Sequence, residues 1–173
     1  MLNLSNQKKQ SPEVYLSSEP SFSLNQNSIL ELKQAASLNP RQRVRFCAHA
    51  SAQEIVHEMV IVHPKNAYVR PHKHLNKPES MLVIEGSVDY IIFNNDGGIK
   101  EIISMGDYRS GKPFYQSIRE AIYHTLIIQS EWLVFLEITK GPFQREDTVF
   151  ADWSPVDSDI NDVETFLNQF RKI

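Results

Sequence analysis

The chain has a single cysteine, Cys47, in 173 residues, so no disulfide can form within it, and a reducing compartment, the cytoplasm, is the expectation. Basic residues are not in excess. Eighteen Lys and Arg against 21 Asp and Glu leave a formal net charge of -3, which argues against a surface that tracks nucleic-acid phosphates. No stretch approaches the roughly 18 apolar residues of a membrane span. The N-terminus, MLNLSNQKKQSPEVYL, also lacks the apolar run of a signal peptide, so neither membrane insertion nor export is expected. No Ser, Cys or Asp nucleophile stands in a recognisable catalytic motif, and Cys47 has no defined partner. Internal repeats and interdomain linkers are missing too. The organisation expected is a flexible polar tail over residues 1–12, ending in Ser11-Pro12, and one domain over 13–173.

What is present is ordinary for a soluble globular chain, with 41% apolar and 23% charged residues. Ser28 followed by Glu31 fits a capping box. The apolar residues and good helix formers behind it predict a helix near 28–38 that Pro40 stops. From about 40 to 140 the pattern changes to short apolar runs rich in Ile, Val, Tyr and Phe, separated by Gly, Pro and Asn. Strands are predicted at Ile55–Val62, Met81–Glu85, Val88–Phe93, Ile99–Ser104, His124–Gln129 and Trp132–Thr139. Asn94-Asn95-Asp96-Gly97-Gly98 supplies a hairpin turn. Ile91-Ile92-Phe93 and Leu133–Leu136 are apolar on both pleat faces, which predicts a barrel lining on one side and a covering layer on the other. A closing amphipathic helix carries Ile160, Val163, Phe166, Leu167 and Phe170, with Asp157 or Ser158 as its N-cap.

Chemistry concentrates in Pro71-His72-Lys73-His74-Leu75-Asn76-Lys77-Pro78-Glu79. Imidazoles two residues apart on a strand point to the same face, and Lys73 between them points away. A turn containing Pro78 can bring Glu79 back on the next strand as an oxygen donor. His124, at a strand start within Ala121-Ile122-Tyr123-His124-Thr125, is the candidate fourth ligand. Three nitrogens and one carboxylate suit one divalent ion, Zn, Ni, Mn, Fe or Co, and leave coordination positions open for water or substrate. His49, His57 and His63 are not assigned as ligands.

His72-x-His74-x4-Glu79-x6-Gly86 resembles the first motif of the cupin superfamily, and His124 stands where the second motif places its histidine. Asn66 occupies the place of the glycine that usually opens the first motif, and Arg119-Glu120-Ala121 that of a Pro-x-Gly in the second. Asparagine tolerates the left-handed backbone that such a glycine would adopt. More narrowly, residues 40–157 resemble the WbuC family of cupin metalloproteins. The shared features are Arg43-x-Arg45-x3-His49, Tyr68-Val69-x-Pro71-His72-x-His74, Gly141-Pro142-Phe143 and Phe150-Ala151-x-Trp153-Ser154-Pro155. The resemblance implies a mainly β chain: a cupin double-stranded β-helix, or jelly-roll barrel, with short N- and C-terminal helices. Its core would span about 40–140 and its closing segment and helix 141–173. It also implies one metal ion and a bacterial setting among genes for O-antigen and surface-polysaccharide synthesis, which makes a sugar or nucleotide sugar the ligand by analogy.

Around the metal, Arg41, Arg43 and Arg45 alternate, so on an extended segment they share a face and could present guanidiniums to a carboxylate or phosphate; the bland reading is a solvated charged face. His57 either fills the barrel lining or faces the metal cavity as a hydrogen-bond donor. Tyr68 and Tyr123 flank the ligand strands, where they could bond a substrate or simply pack. The leading function is a metal-dependent isomerase or epimerase acting on a small polar, anionic or carbohydrate molecule. An Fe(II) dioxygenase and a non-catalytic sugar-binding module or sensor are the alternatives. A homodimer is expected.

Overall fold

A computed structural model describes residues 3–170. The first two residues of the expected tail and residues 171–173 of the closing segment lie outside them. Twelve strands and two helices follow in chain order: β1 (Lys8–Ser11), β2 (Val14–Leu16), α1 (Gln26–Ser37), β3 (Val44–Cys47), β4 (Val56–Pro64), β5 (His72–His74), β6 (Glu79–Glu85), β7 (Ser87–Phe93), β8 (Ile99–Gly106), β9 (Tyr115–Ile118), β10 (His124–Ile128), β11 (Trp132–Lys140), β12 (Thr148–Phe150) and α2 (Ile160–Phe170).

They form a seven-stranded sheet in the order β1-β2-β3-β4-β11-β6-β9 and a five-stranded sheet in the order β12-β5-β10-β7-β8. From β4 to β7, and again from β8 to β12, each successive strand lies in the opposite sheet. Between β4 and β12, only β7 and β8 are joined within one sheet, by the Asn94–Gly98 turn, where Asn94 and Gly98 are hydrogen-bonded and Gly97 has φ +90°. Two facing sheets wound in this way make the cupin double-stranded β-helix.

The double-sided apolar runs resolve into three cores. The barrel interior holds Met59, Ile61, Met81, Val83, Tyr90, Leu126, Leu133 and Phe135. Helix α1 covers the outside of the seven-stranded sheet, where Leu32, Ala36, Phe46, Val62 and Val134 are buried. Helix α2 covers the five-stranded sheet through Phe166, Leu167 and Phe170 against Ile91, Phe93 and Ile127. Burying a side chain such as Leu32 completely contributes about 1.5–3 kcal/mol.

Several boundaries differ from expectation. Helix α1 begins two residues earlier because Asn25 is its N-cap. The Asn25 side chain accepts from the Ser28 N–H and the Ser28 hydroxyl from the Asn25 N–H, so Ser28 closes the box from inside the first turn. Glu31 accepts instead from the Leu4 N–H at 3.4 Å. Helix α2 starts after Asp159, whose carboxylate accepts from the Asp162 N–H, while Asp157 pairs with Arg41. The expected tail is structured over residues 4–11: Leu4 is buried and β1 pairs with β2, which adds in parallel to β3. Asn66 is not in the left-handed region. The asparagine there is Asn76, at φ +55°, in the turn between His74 and Glu79.

Candidate metal centre

Strand parity and register assemble the site. On β5, His72 and His74 project inward, while Lys73 projects outward and lies 4.4 Å over the Tyr123 ring. His124 is the direct antiparallel partner of His72, and it opposes Ile92 on its other side. Glu79 opens β6, opposite Thr139 of β11 and Ile118 of β9, so it enters from the other sheet. One donor atom from each of His72, His74, Glu79 and His124 lies within 4.8 Å of all the others, so the group could hold a metal ion.

The remaining ring nitrogens orient the donors. His72 Nδ1 lies 2.8 Å from the Arg70 carbonyl and His124 Nδ1 3.0 Å from the Ile122 carbonyl. A carbonyl only accepts, so in both rings Nδ1 carries the proton and Nε2 presents its lone pair inward. Thr148 Oγ1 holds His74 Nδ1 at 3.2 Å. Glu79 Oε2 is 2.9 Å from His74 Nε2 and Oε1 is 3.4 Å from His124 Nε2. That last nitrogen is buried and makes no hydrogen bond among the described residues. A buried lone pair aimed at a carboxylate and two further imidazoles is what a cation would satisfy, so these donors fit a divalent ion.

For His72 and Glu79, electrostatics agree with the geometry. Burial, then the neighbouring His124, pushes His72 down to about 3, which keeps it neutral as a ligand must be. Burial alone would raise Glu79, but the imidazoles of His124 and His74 outweigh it and hold the carboxyl well below its usual range. For His124, burial opposes charge, yet the Glu79 carboxylate beside it raises the imidazole.

The other expected residues separate. Arg41, Arg43, Arg45 and Tyr68 all line a cavity of about 640 Å³ that reaches His72. Within it, the Tyr68 hydroxyl donates to the Pro155 carbonyl at 3.0 Å, so it is tied to the backbone, and burial pushes its pKa up to about 12. His57 is buried on the inward face of β4, where it stacks on His49 at 4.1 Å; burial, then Lys77, lowers its pKa. It is absent from both the cavity wall and the ligand group. Tyr123 packs outside the barrel against Trp153.

Sequence reasoning missed Glu137. It lies on β11 in register with Met59 and Met81, so it faces the interior between the inward Phe135 and Thr139. Burial, then the like charge of Glu79, pushes its carboxyl up to about 8. The signal was available, because Glu137 is the one acid at an inward position of an otherwise apolar predicted strand. Tyr90, stacked on His124 at 5.4 Å and 9°, was also missed, as were Arg70, Arg145 and His63 in the cavity wall.

The barrel has the cupin-type fold, and its inward donors form a candidate metal centre. A family model described as a domain of unknown function, DUF6016, matches residues 24–105. No curated protein matches the chain in sequence. Among solved structures, protein SO0799 from Shewanella oneidensis aligns with a TM-score of 0.50 at 8% identity, over 61% of this chain and 72% of its own. Bacillus subtilis oxalate decarboxylase aligns with a TM-score of 0.45 at 21% identity, over 56% of this chain and 24% of its own. The Lactobacillus farciminis oxalate decarboxylase formate complex gives 0.45 at 16%, over 58% and 27%. The chain thus spans about a quarter of the length of these decarboxylases. At such identities the likeness concerns the fold. No helix among the described residues is long and apolar enough to cross a membrane.

Proposed function

We propose that this chain is a divalent-metal cupin that acts on a small polar molecule, with His72, His74, Glu79 and His124 as the metal ligands. The observation that carries the reading is the convergence of three imidazoles and one carboxylate within 4.8 Å, with the outer nitrogens of His72 and His124 fixed by backbone carbonyls. The donor set suits Zn, Ni, Mn, Fe or Co. A bound ion would supply Lewis acidity at a ligand oxygen from the cavity side. The chain's own part is to keep His72 neutral and Glu79 ionised, to orient the donors, and to place Glu137 on the same interior surface as the group that takes or gives a proton.

For the reaction, we favour isomerisation or epimerisation of a sugar derivative, a reading supported by the resemblance to WbuC cupins. Metal analysis of the purified protein beside a His72→Ala, His74→Ala variant tests the foundation. The native chain is expected to carry close to one ion and the variant a small fraction of that. Equal metal in both would overturn the site. Turnover of keto and aldose sugars or nucleotide sugars that disappears with the metal would support the reaction, and binding without turnover would leave a sensor.

A further inference from the structure

The cavity that reaches His72 is lined by five guanidiniums, Arg41, Arg43, Arg45, Arg70 and Arg145, against two carboxylates, Glu13 and Asp157. That is an excess of three positive charges at one concavity of a chain whose net charge is -3. The acids are spent on two of the arginines. Arg41 lies 2.5 Å from Asp157 and 3.5 Å from Glu13, and Arg43 lies 3.1 Å from Glu13 and 3.9 Å from Asp157. Arg70 bonds Ser154 Oγ at 3.1 Å and the Ala151 carbonyl at 3.2 Å, so its fork is engaged in structure.

Arg45 and Arg145 are different. Neither has a carboxylate within ion-pair distance among the described residues, although Arg45 acts at longer range on Glu137. Arg145 lies 5.0 Å over the Phe150 ring, with one weak bond of 3.4 Å to the Thr148 carbonyl, which leaves most of its donors open. Arg45 lies on β3 in register with Ile61, which places it on the interior side of the sheet. Beside it in the wall is His63, more than nine-tenths buried and stacked on Phe135, with an Nδ1 that has no hydrogen-bond partner. Guanidiniums without an ion pair, beside a buried imidazole whose Nδ1 has no partner, are the donors an oxyanion would use, and a planar fork matches carboxylate or phosphate oxygens two at a time. A volume of about 640 Å³ exceeds a bare ion and suits a small organic molecule, within the roughly 300–1,000 Å³ of such sites.

We infer that the cavity takes a small organic anion, a carboxylate or phosphate ester, whose oxyanion is held by Arg45 and Arg145 with His63 as a further hydrogen-bond partner, and whose other end faces the metal centre past His72. As a statement about substrate it rests on the metal reading above; as a statement about anion binding it stands on the arginines alone.

Calorimetric titration of the full, metal-loaded chain tests it, with inorganic phosphate and malonate as separate probes and glucose as the neutral control. The native protein is expected to bind at least one anion, more weakly as salt rises, and an Arg45→Gln, Arg145→Gln variant at least tenfold more weakly at unchanged metal content. Binding of phosphate alone assigns a phosphate ester, and of malonate alone a carboxylate. Arg145 is exposed, so Arg145→Gln by itself serves if the double variant does not fold, and it too should weaken binding. The inference is overturned if neither anion binds the native chain, or if the arginine variants bind as tightly. Should His72→Ala, His74→Ala keep full metal while the arginine variants lose the anion, the metal reading fails and this one stands. The converse result, metal lost with the histidines but no anion bound by the native chain, removes only this one.

Discussion

Replacing Glu137 by Gln should change how stability depends on pH, with a sign that follows from burial. In the metal-free folded chain, burial and the neighbouring Glu79 raise the Glu137 carboxyl from its ordinary 4.5 to about 8. Between those values the folded state binds a proton that the unfolded state has released, so stability falls as pH rises. The limiting slope is about 1.4 kcal/mol per pH unit. Over the whole window this gives a ceiling of about 5 kcal/mol, and the partial solvent contact of Glu137 reduces the expectation to about 2–3 kcal/mol. Below pH 4.5 both states are protonated and the contribution is fully present; above pH 8 both are ionised and it is lost. Glutamine keeps the shape without the ionisation. Urea unfolding of the chelator-treated native protein and Glu137→Gln, at intervals from pH 5 to 8.5, should show the variant gaining relative stability as pH rises. Parallel curves would refute the assignment of Glu137 to the barrel interior beside Glu79. With a divalent ion added, positive charge beside Glu79 favours the ionised form, so the window should move to lower pH.

Thr148→Val removes the hydroxyl that holds His74 Nδ1 and should weaken metal affinity about tenfold while leaving the fold intact, as read by competition with a chromogenic chelator. Gly86→Ala should cost roughly 3 kcal/mol in chemical denaturation, because Gly86 has φ +94° and an added Cβ would land on the Trp132 carbonyl and Ser130 Oγ.

The convergence of the candidate metal ligands was legible in the sequence because it depends on short-range geometry. Parity puts His72 and His74 on one face, and the Asn76–Pro78 turn returns the chain at Glu79. The same parity, applied around His124, would have turned Tyr123 outward, as it turned Lys73 outward. Contacts between distant segments were not legible. Arg41 and Arg43 meet Glu13 and Asp157 only once β2 and the segment before α2 are in place, and Glu13 adjoins what reads locally as a polar tail. His57 was open between two roles because its neighbour His49, on which it stacks, comes from the other side of a turn. The short strands β1, β9 and β12 carry too few apolar residues to announce themselves, and pairing with longer strands defines them.

Three of the four candidate ligands belong to one sheet, and Glu79 alone comes from the other. The barrel end is therefore a clamshell with a single tie from one valve. Without Glu79, three imidazoles on a common surface would still offer a nest for a cation, but the donor group would no longer draw on both sheets. How tightly an ion would be gripped and how firmly the two sheets are tied at that end are thus separable properties, and Glu79 is the candidate ligand that bears on both.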